Sequence, residues 1–183
     1  MVISCFPFDD TDQTRQLAEV VRGARVVIDP NPRSGMMTDR DEFVRGFERL
    51  AAGAALIKVG DDDAALLYGM PLAQLRARLI DLGAEAVLAT AGAAGATIEA
   101  GDVVVTRPIS ELDGPIVDTM GGGDATLAAS VTSLVDGPPE DEDDWADALE
   151  RAMDVAAATC RFEGALLRLP SALMATDPDS LST

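Results

Sequence analysis

The sequence predicts an α/β fold, a three-layer αβα sandwich built on a mostly parallel sheet. Two observations carry that expectation. Short β-rich runs alternate with segments of helical spacing along the chain. The turn chemistry falls directly after the β-rich runs, at Asp29-Pro30-Asn31, Lys58-Val59-Gly60-Asp61 and Thr90-Ala91-Gly92. Sheets of this class bind ligands beyond the C-terminal ends of their strands. With 183 residues, 48% of them hydrophobic, one domain over 1–183 with its own core is expected.

The elements follow in order. Residues 2–6 are a short apolar run, and residues 11–22 have helical spacing through Leu17, Val20 and Val21. Residues 25–29 are β-rich. Residues 40–51 place Phe43, Phe47 and Leu50 on one helical stripe. A second strand over 55–59 leads into a short helix near 62–68. Leu72, Leu75, Leu79 and Leu82 mark another helix, stopped by Gly83. Residues 86–90 form a third strand. Residues 97–99 and 102–107 read as a hairpin turning at Ala100-Gly101. A three-glycine turn at 121–123 opens a helix with Leu127, Ala128, Val131, Leu134 and Val135 on its apolar face. An acidic linker over 136–144 then precedes a long helix over 145–160. There is no internal repeat.

Composition excludes several chemistries. The chain has no histidine, which removes His-dependent triads, His-ligated zinc and imidazole acid–base catalysis. Proton transfer must rest on carboxylates, Tyr68, the single lysine Lys58, the thiols or water. The net charge is −18, from 32 acidic and 14 basic residues. Nucleic acid is therefore not an expected partner, because phosphate contacts need Lys/Arg clusters. No apolar run approaches the roughly 20 residues that span a bilayer, so no membrane is expected. Residues 1–10 lack the pattern of a secretory signal. Cys5 and Cys160, without a spacing motif, fit a reducing compartment, and a cytoplasmic location is expected. The acidity fits either a salt-adapted protein or ordinary surface solubility.

Asp118-Thr119-Met120-Gly121-Gly122-Gly123-Asp124 carries the most chemistry. Glycines allow the backbone to approach a ligand closely. A helix N-terminus offers unpaired N–H groups and a partial positive charge to a phosphate. A carboxylate beside that anion site can deprotonate an attacking hydroxyl, so the pattern points to phosphoryl transfer to an alcohol. Asp29-Pro30-Asn31-Pro32-Arg33 is the second landmark. Its prolines stiffen a turn that would present Arg33 to a phosphate or carboxylate. In Lys58-Val59-Gly60-Asp61-Asp62-Asp63 the acids can organise Mg²⁺ through water, or simply favour a helix N-terminus. No P-loop, dinucleotide fingerprint or nucleophile elbow is present.

Asp-Thr-x-Gly-x-Gly-Asp resembles the C-terminal signature of the ribokinase/fructokinase-like (pfkB-type) sugar kinases. The resemblance implies a ribokinase-like fold and a catalytic site in which Asp124 is the base and Gly121, Gly122 and Gly123 form the anion hole. Asp-x-Asn-x-Arg resembles a motif of the fructokinase and 2-keto-3-deoxygluconate kinase branch, placing Asn31 and Arg33 near phosphate and sugar. Thr90-Ala91-Gly92-Ala93-Ala94-Gly95 is similar to the family's Thr-x-Gly-x-x-Gly segment, which implies nucleotide contacts from Thr90, Gly92 and Gly95. Lys58 and Gly164 join the nucleotide side by the same resemblance, the run 160–165 helping to form the adenine pocket and a monovalent-cation loop. Asp63 and Asp118 are the implied metal carboxylates. The cofactors implied are ATP and Mg²⁺, with a monovalent cation. Four positions depart from the family pattern. Gly122 stands where Ala is usual, Met120 where a smaller or β-branched residue is usual, and Gly60 with Asp63 where Asn or Ser with Glu is usual.

The resemblance runs over residues 26–164 and covers the family's nucleotide side. The N-terminal strands, most sugar contacts and the lid find no counterpart. A sheet edge is then expected to need cover, from a homodimer or from a partner chain supplying the missing half. Two functions remain open: a sugar kinase, or a non-catalytic nucleotide-binding or interaction module derived from this family.

Overall fold

The computed structural model describes residues 1–33, 35 and 37–171. The last stretch of the domain expected over 1–183 lies outside the described residues. The elements run β1 Val2–Ser4, α1 Thr11–Val20, β2 Val27–Asp29, α2 Arg40–Ala51, β3 Leu56–Gly60, α3 Asp61–Asp63 and α4 Leu72–Asp81. β4 Ala86–Thr90, β5 Ala96–Ala100, β6 Val103–Arg107, α5 Gly122–Asp136 and α6 Glu142–Thr159 follow. Contacts group them into two compact units: residues 1–92 with 97–104, and residues 93–96 with 105 onward.

The first unit is built on the sheet, whose order is β1-β2-β3-β4-β5-β6. β1 to β4 are mutually parallel, with Ile3 opposite Ile28, Ile28 opposite Ile57 and Ile57 opposite Val87. The alternation expected from the sequence therefore gives the expected parallel sheet, and each crossover is a helix. Three of the helical starts are fixed locally. Asp10 accepts from the Gln13 N–H at the head of α1, and Asp39 accepts from the Glu42 N–H at the head of α2. Asp63 bonds back to the Gly60 N–H at the head of α3. α3 runs on as a π-helical turn over Ala64–Tyr68, ended by Gly69 at φ 60°.

The core of this unit joins Ile28, Ile57, Val59 and Val87 of the sheet to Phe43, Phe47, Leu75 and Leu79 of the helices. Phe8 lies at its centre, fully buried, edge-on to Phe6, Phe43 and Phe47 at 5.2–5.6 Å between ring centroids. α2 comes so close to the Phe8 backbone that a Cβ on Gly46 would lie 2.0 Å from the Phe8 carbonyl oxygen.

In the second unit α5 packs on α6. Three expectations are corrected. The buried positions of α5 are Ala125, Thr126, Leu127, Ser130 and Leu134, while Ala128 is exposed and Val135 is 75% exposed. Two hydroxyl residues thus replace the aliphatic residues expected on that face. Burial is allowed because Thr126 Oγ1 donates to the Gly122 carbonyl and Ser130 Oγ to the Thr126 carbonyl. The acidic run read as linker to residue 144 is partly helix. α6 starts at Glu142, with Asp141 accepting from the Asp144 N–H. Acids in a first turn are stabilised by the helix dipole, so the charge run is a helix start rather than a loop. The hairpin turns at Gly101-Asp102, one residue later than expected, because Gly101 takes φ 56°. No described helix is long and apolar enough to cross a membrane.

Gly46→Ala should destabilise the protein by about 1–3 kcal/mol, because the Phe8 backbone must yield to the new methyl. Chemical denaturation reads this directly; a midpoint equal to wild type would show that the α2–Phe8 contact is slack.

Candidate functional site

The signature lies wholly within the second unit. Residues 108–121, between β6 and α5, have neither helix nor strand, so other bonds must hold them. The Val117 and Asp118 N–H groups both donate to the Cys160 carbonyl, at 2.8 and 3.2 Å. The Asp118 carboxylate then uses both oxygens. Oδ1 accepts from the Met120 N–H at 2.9 Å and Oδ2 from the Gly164 N–H at 3.1 Å. Gly121 precedes α5 at φ 81°, and a Cβ there would lie 2.7 Å from the Ala165 carbonyl oxygen. Both facts demand glycine.

α5 starts from that turn with no side-chain cap. The Gly122 N–H turns back to the Thr119 carbonyl, whereas the N–H groups of Gly123 and Asp124 have no partner among the described residues. They are the orphan donors of a helix start, and such donors suit an anion. Gly122 and Gly123 are half-buried, and the Asp124 side chain is exposed in this first turn, bonded to no described group. These N–H groups and the Asp124 carboxylate, which has no partner among the described residues, are therefore within one helical turn of each other.

The remaining residues of interest divide between the units. Asp29 is fully buried, with Lys58 Nζ 3.2 and 3.3 Å from its two oxygens. This pair stands on neighbouring strands at the sheet's C-terminal edge, and pairing is what allows either charge to be buried. Asn31 follows at φ 35° between Pro30 and Pro32. Asparagine tolerates the left-handed region better than most residues. Arg33 is exposed, and Asn31 and Arg33 line a cavity of 100 Å³ with Cys5, Phe6, Met37 and Phe43 among its walls. On β3 and β4, Gly60 is opposite Thr90, whose hydroxyl donates to the Val59 carbonyl. Gly92 takes φ 52° with open space around its α-carbon. Gly95, in the second unit, takes φ 93°, and a Cβ there would lie 2.1 Å from the Arg107 carbonyl oxygen. Gly164 takes φ 80°.

Asp63 is buried, and burial pushes its carboxyl above the ordinary 3.8, while the Gly60 N–H and the Lys58 charge pull it partly back. No described cluster of three or more His, Cys, Asp or Glu side chains could cage a metal. Mg²⁺ needs no such cage; it keeps much of its water and is held by one or two carboxylates plus phosphates. Asp63 and Asp118 each already accept backbone N–H bonds, Asp63 from Gly60 and Asp118 from Met120 and Gly164.

Two residues with no separate signal in the sequence belong to this site. Cys160 caps α6, and its sulfur would stand 3.0 Å from a Cβ on Gly122. The thiol thus fills the space that a methyl at Gly122 would take. Arg161 donates to the carbonyls of Leu112, Asp113 and Ala157. Only the fold could reveal either role, because their partners lie far away in sequence.

The turn before α5 thus leaves helix-start N–H groups without a partner among the described residues, next to the Asp124 carboxylate, in a protein of α/β fold. Residues 9–172 match the pfkB family carbohydrate kinase, and the chain belongs to that family. It is 32% identical over 162 residues to the aminoimidazole riboside kinase of Salmonella typhimurium, covering 88% of this chain and 48% of that protein. It is 32% identical over 148 residues to the ATP-dependent 6-phosphofructokinase of Thermoanaerobacterium thermosaccharolyticum, covering 79% and 43%. The chain thus spans under half the length of these curated relatives. Among solved structures, the Salmonella enterica aminoimidazole riboside kinase, complexed with aminoimidazole riboside and an ATP analog, superposes with a TM-score of 0.77 at 28% identity. The superposition covers 95% of this chain and 61% of that one. The fold is ribokinase-like α/β with a mostly parallel, mixed sheet.

Two predictions follow from local geometry. Alanine is about 0.5–1 kcal/mol better than glycine within a helix, but at Gly122 its methyl meets the Cys160 thiol. Gly122→Ala should therefore be near neutral in wild type and stabilising by about 0.5–1 kcal/mol in a Cys160→Ala background. A double-mutant cycle on urea midpoints measures this, and equal effects in both backgrounds would count against it. Asp63 titrates higher folded than unfolded, so its contribution to stability is complete below pH 3.8 and is lost as pH rises through the folded value. Asp63→Asn keeps a side-chain acceptor for the Gly60 N–H without a charge. Its stability should gain on wild type across that window, as urea midpoints in a pH series would read; a constant difference contradicts the assignment.

Proposed function

We propose that this chain forms the nucleotide-side part of a carbohydrate kinase, transferring the γ-phosphoryl group of ATP to a sugar hydroxyl. The observation that carries the reading is the glycine turn: among the described residues the N–H groups of Gly123 and Asp124 and the Asp124 carboxylate have no partner, all within the first turn of α5. Asp124 takes the proton of the acceptor hydroxyl as its oxygen bonds to the γ-phosphorus. The bond from that phosphorus to the β,γ-bridging oxygen breaks, and ADP leaves. The backbone of Gly121, Gly122 and Gly123 meets the charge on the transferring group, which fixed N–H dipoles stabilise without rearranging.

Thr90, Gly92, Gly95, Asn31, Arg33 and Gly164 serve the nucleotide and its phosphates, whereas Lys58, buried against Asp29, acts on that side only through this pair. Gly92 and Gly164 leave room for close approach, and Arg33 supplies an exposed guanidinium. Mg²⁺, when bound, would neutralise phosphate charge, Asp63 and Asp118 being the carboxylates proposed for it, and the 160–165 loop would serve a monovalent cation. The acceptor is a sugar of the fructokinase or 2-keto-3-deoxygluconate kinase type, favoured by the Asp29-Pro30-Asn31-Pro32-Arg33 turn. The working protein is a cytoplasmic homodimer, or depends on a partner chain that covers the sugar side. A second reading, a non-catalytic nucleotide-binding module derived from this family, uses the same helix-start N–H groups and needs no acceptor site.

Asp124→Asn should lower phosphoryl transfer by about 10²–10⁴-fold while leaving ATP affinity nearly unchanged, since the amide keeps the shape but cannot take the proton. A coupled ADP-release assay across a sugar panel, run beside calorimetry with ATP, tests both readings. Wild-type rates in the variant would remove Asp124 from the mechanism, and ATP binding without turnover on any sugar would favour the binding module.

A further inference from the structure

The irregular segment 108–121 has to deliver the glycine turn at a fixed place, yet has no regular backbone bonding of its own. Such a stretch would carry a large conformational entropy if it were not tied down. It is tied to the end of α6, and the largest single tie is one side chain. Arg161 Nε donates to the Asp113 carbonyl at 2.8 Å and to the Leu112 carbonyl at 3.1 Å. Nη2 donates to the Leu112 carbonyl as well, and Nη1 to the Ala157 carbonyl at 2.7 Å. The guanidinium therefore spans from the last turn of α6 to the middle of the irregular segment.

Arg161 makes none of the ion pairs found among the described residues; its hydrogen-bond partners are neutral carbonyls. One of them, Ala157, lies in the last turn of α6, where the helix dipole favours a cation. The neighbouring residues of the same loop take over where Arg161 ends. Cys160 accepts the Val117 and Asp118 N–H groups through its carbonyl, Gly164 donates to Asp118, and Ala165 abuts Gly121. Ties along 160–165 thus fasten the segment at 112–113, at 117–118 and at 121, in chain order up to the turn.

We propose that Arg161 is a positioning residue for phosphoryl transfer, its planar fork latching residues 112–113 to α6 so that the Gly121–Asp124 turn is presented in one geometry. The inference rests on the kinase reading for its catalytic consequence, but the latch itself does not. Lysine carries the same charge and cannot reproduce the fork, which separates geometry from electrostatics. Misplacing catalytic groups by about 1 Å can cost on the order of 10²-fold in rate.

The test compares wild type, Arg161→Lys and Arg161→Gln by amide hydrogen exchange, thermal melting and steady-state kinetics. The latch predicts faster exchange at Val117, Asp118 and Met120 in both variants, with α5 and α6 protected as in wild type. It also predicts a fall in kcat of roughly 10–100-fold, with KM for the sugar little changed. Unaltered exchange at those three amides overturns the proposal. So does exchange that accelerates equally throughout α5 and α6, which would make Arg161 a general stabiliser, and so does an unchanged kcat in a variant whose exchange has risen. If the wild-type chain turns over no sugar, the kinase reading falls, and the exchange pattern still decides whether the latch exists.

Discussion

A helix N-terminus can hold an anion only if the peptides ahead of it stay still, and that constraint organises the second unit of this protein. The turn before α5 is made of glycines, the residues with the most freedom to move. Its order comes from outside: the Asp118 carboxylate bonded on both oxygens, the Cys160 carbonyl bonded twice, and Gly121 pressed on the Ala165 backbone. Among the described residues, those that stiffen the turn leave its last N–H groups unpaired, and Asp124 stands beside them without a partner. Rigidity and unsatisfied donors coexist because side chains and carbonyls from another element do the fastening. That combination gives a belonging to the carbohydrate kinase family a chemical meaning in this chain.

The first unit meets the same requirement by different means. Its sheet ends in residues that would be costly alone: a buried carboxylate, a buried ammonium and an asparagine in the left-handed region. The Asp29–Lys58 pair makes the two charges tolerable, and the two prolines flanking Asn31 remove the alternatives that its backbone would otherwise sample. Backbone strain of this sort persists where surrounding structure over-determines it. The Phe8 cluster supplies that determination on the side of β1 and α2, and the cavity bordered by Asn31 and Arg33 opens beside it.

Much of this was legible in the residue order. Strand and helix periods alternate cleanly enough that β4 and α2 fall where spacing places them, and the parallel β1–β4 sheet follows from the crossovers. The glycine signature marks its own helix start, and the family follows from it. Legibility failed where charge or polarity had two physical outlets. Acids at 142–144 read as a solvated linker, but they also suit the dipole of a helix start, and Asp141 capping decided for the helix. Thr126 and Ser130 are absent from the apolar face that the spacing gives, yet they are buried, because their hydroxyls donate to carbonyls one helical turn back.

The sequence by itself determined the class of fold, the family and the type of residue at each putting-together of backbone and anion, because period, turn chemistry and glycine placement are local properties. Only the tertiary structure decided what holds the turn and what Lys58 does. Lys58 reads in sequence as a cation available to phosphate; in the fold it is buried against Asp29 from the adjacent strand. Cys160 and Arg161 read as the end of a helix, yet one fills the space beside Gly122 and the other grips carbonyls almost fifty residues upstream. Contacts of that separation depend on how the chain closes on itself, and no local pattern encodes which carbonyl a guanidinium will find.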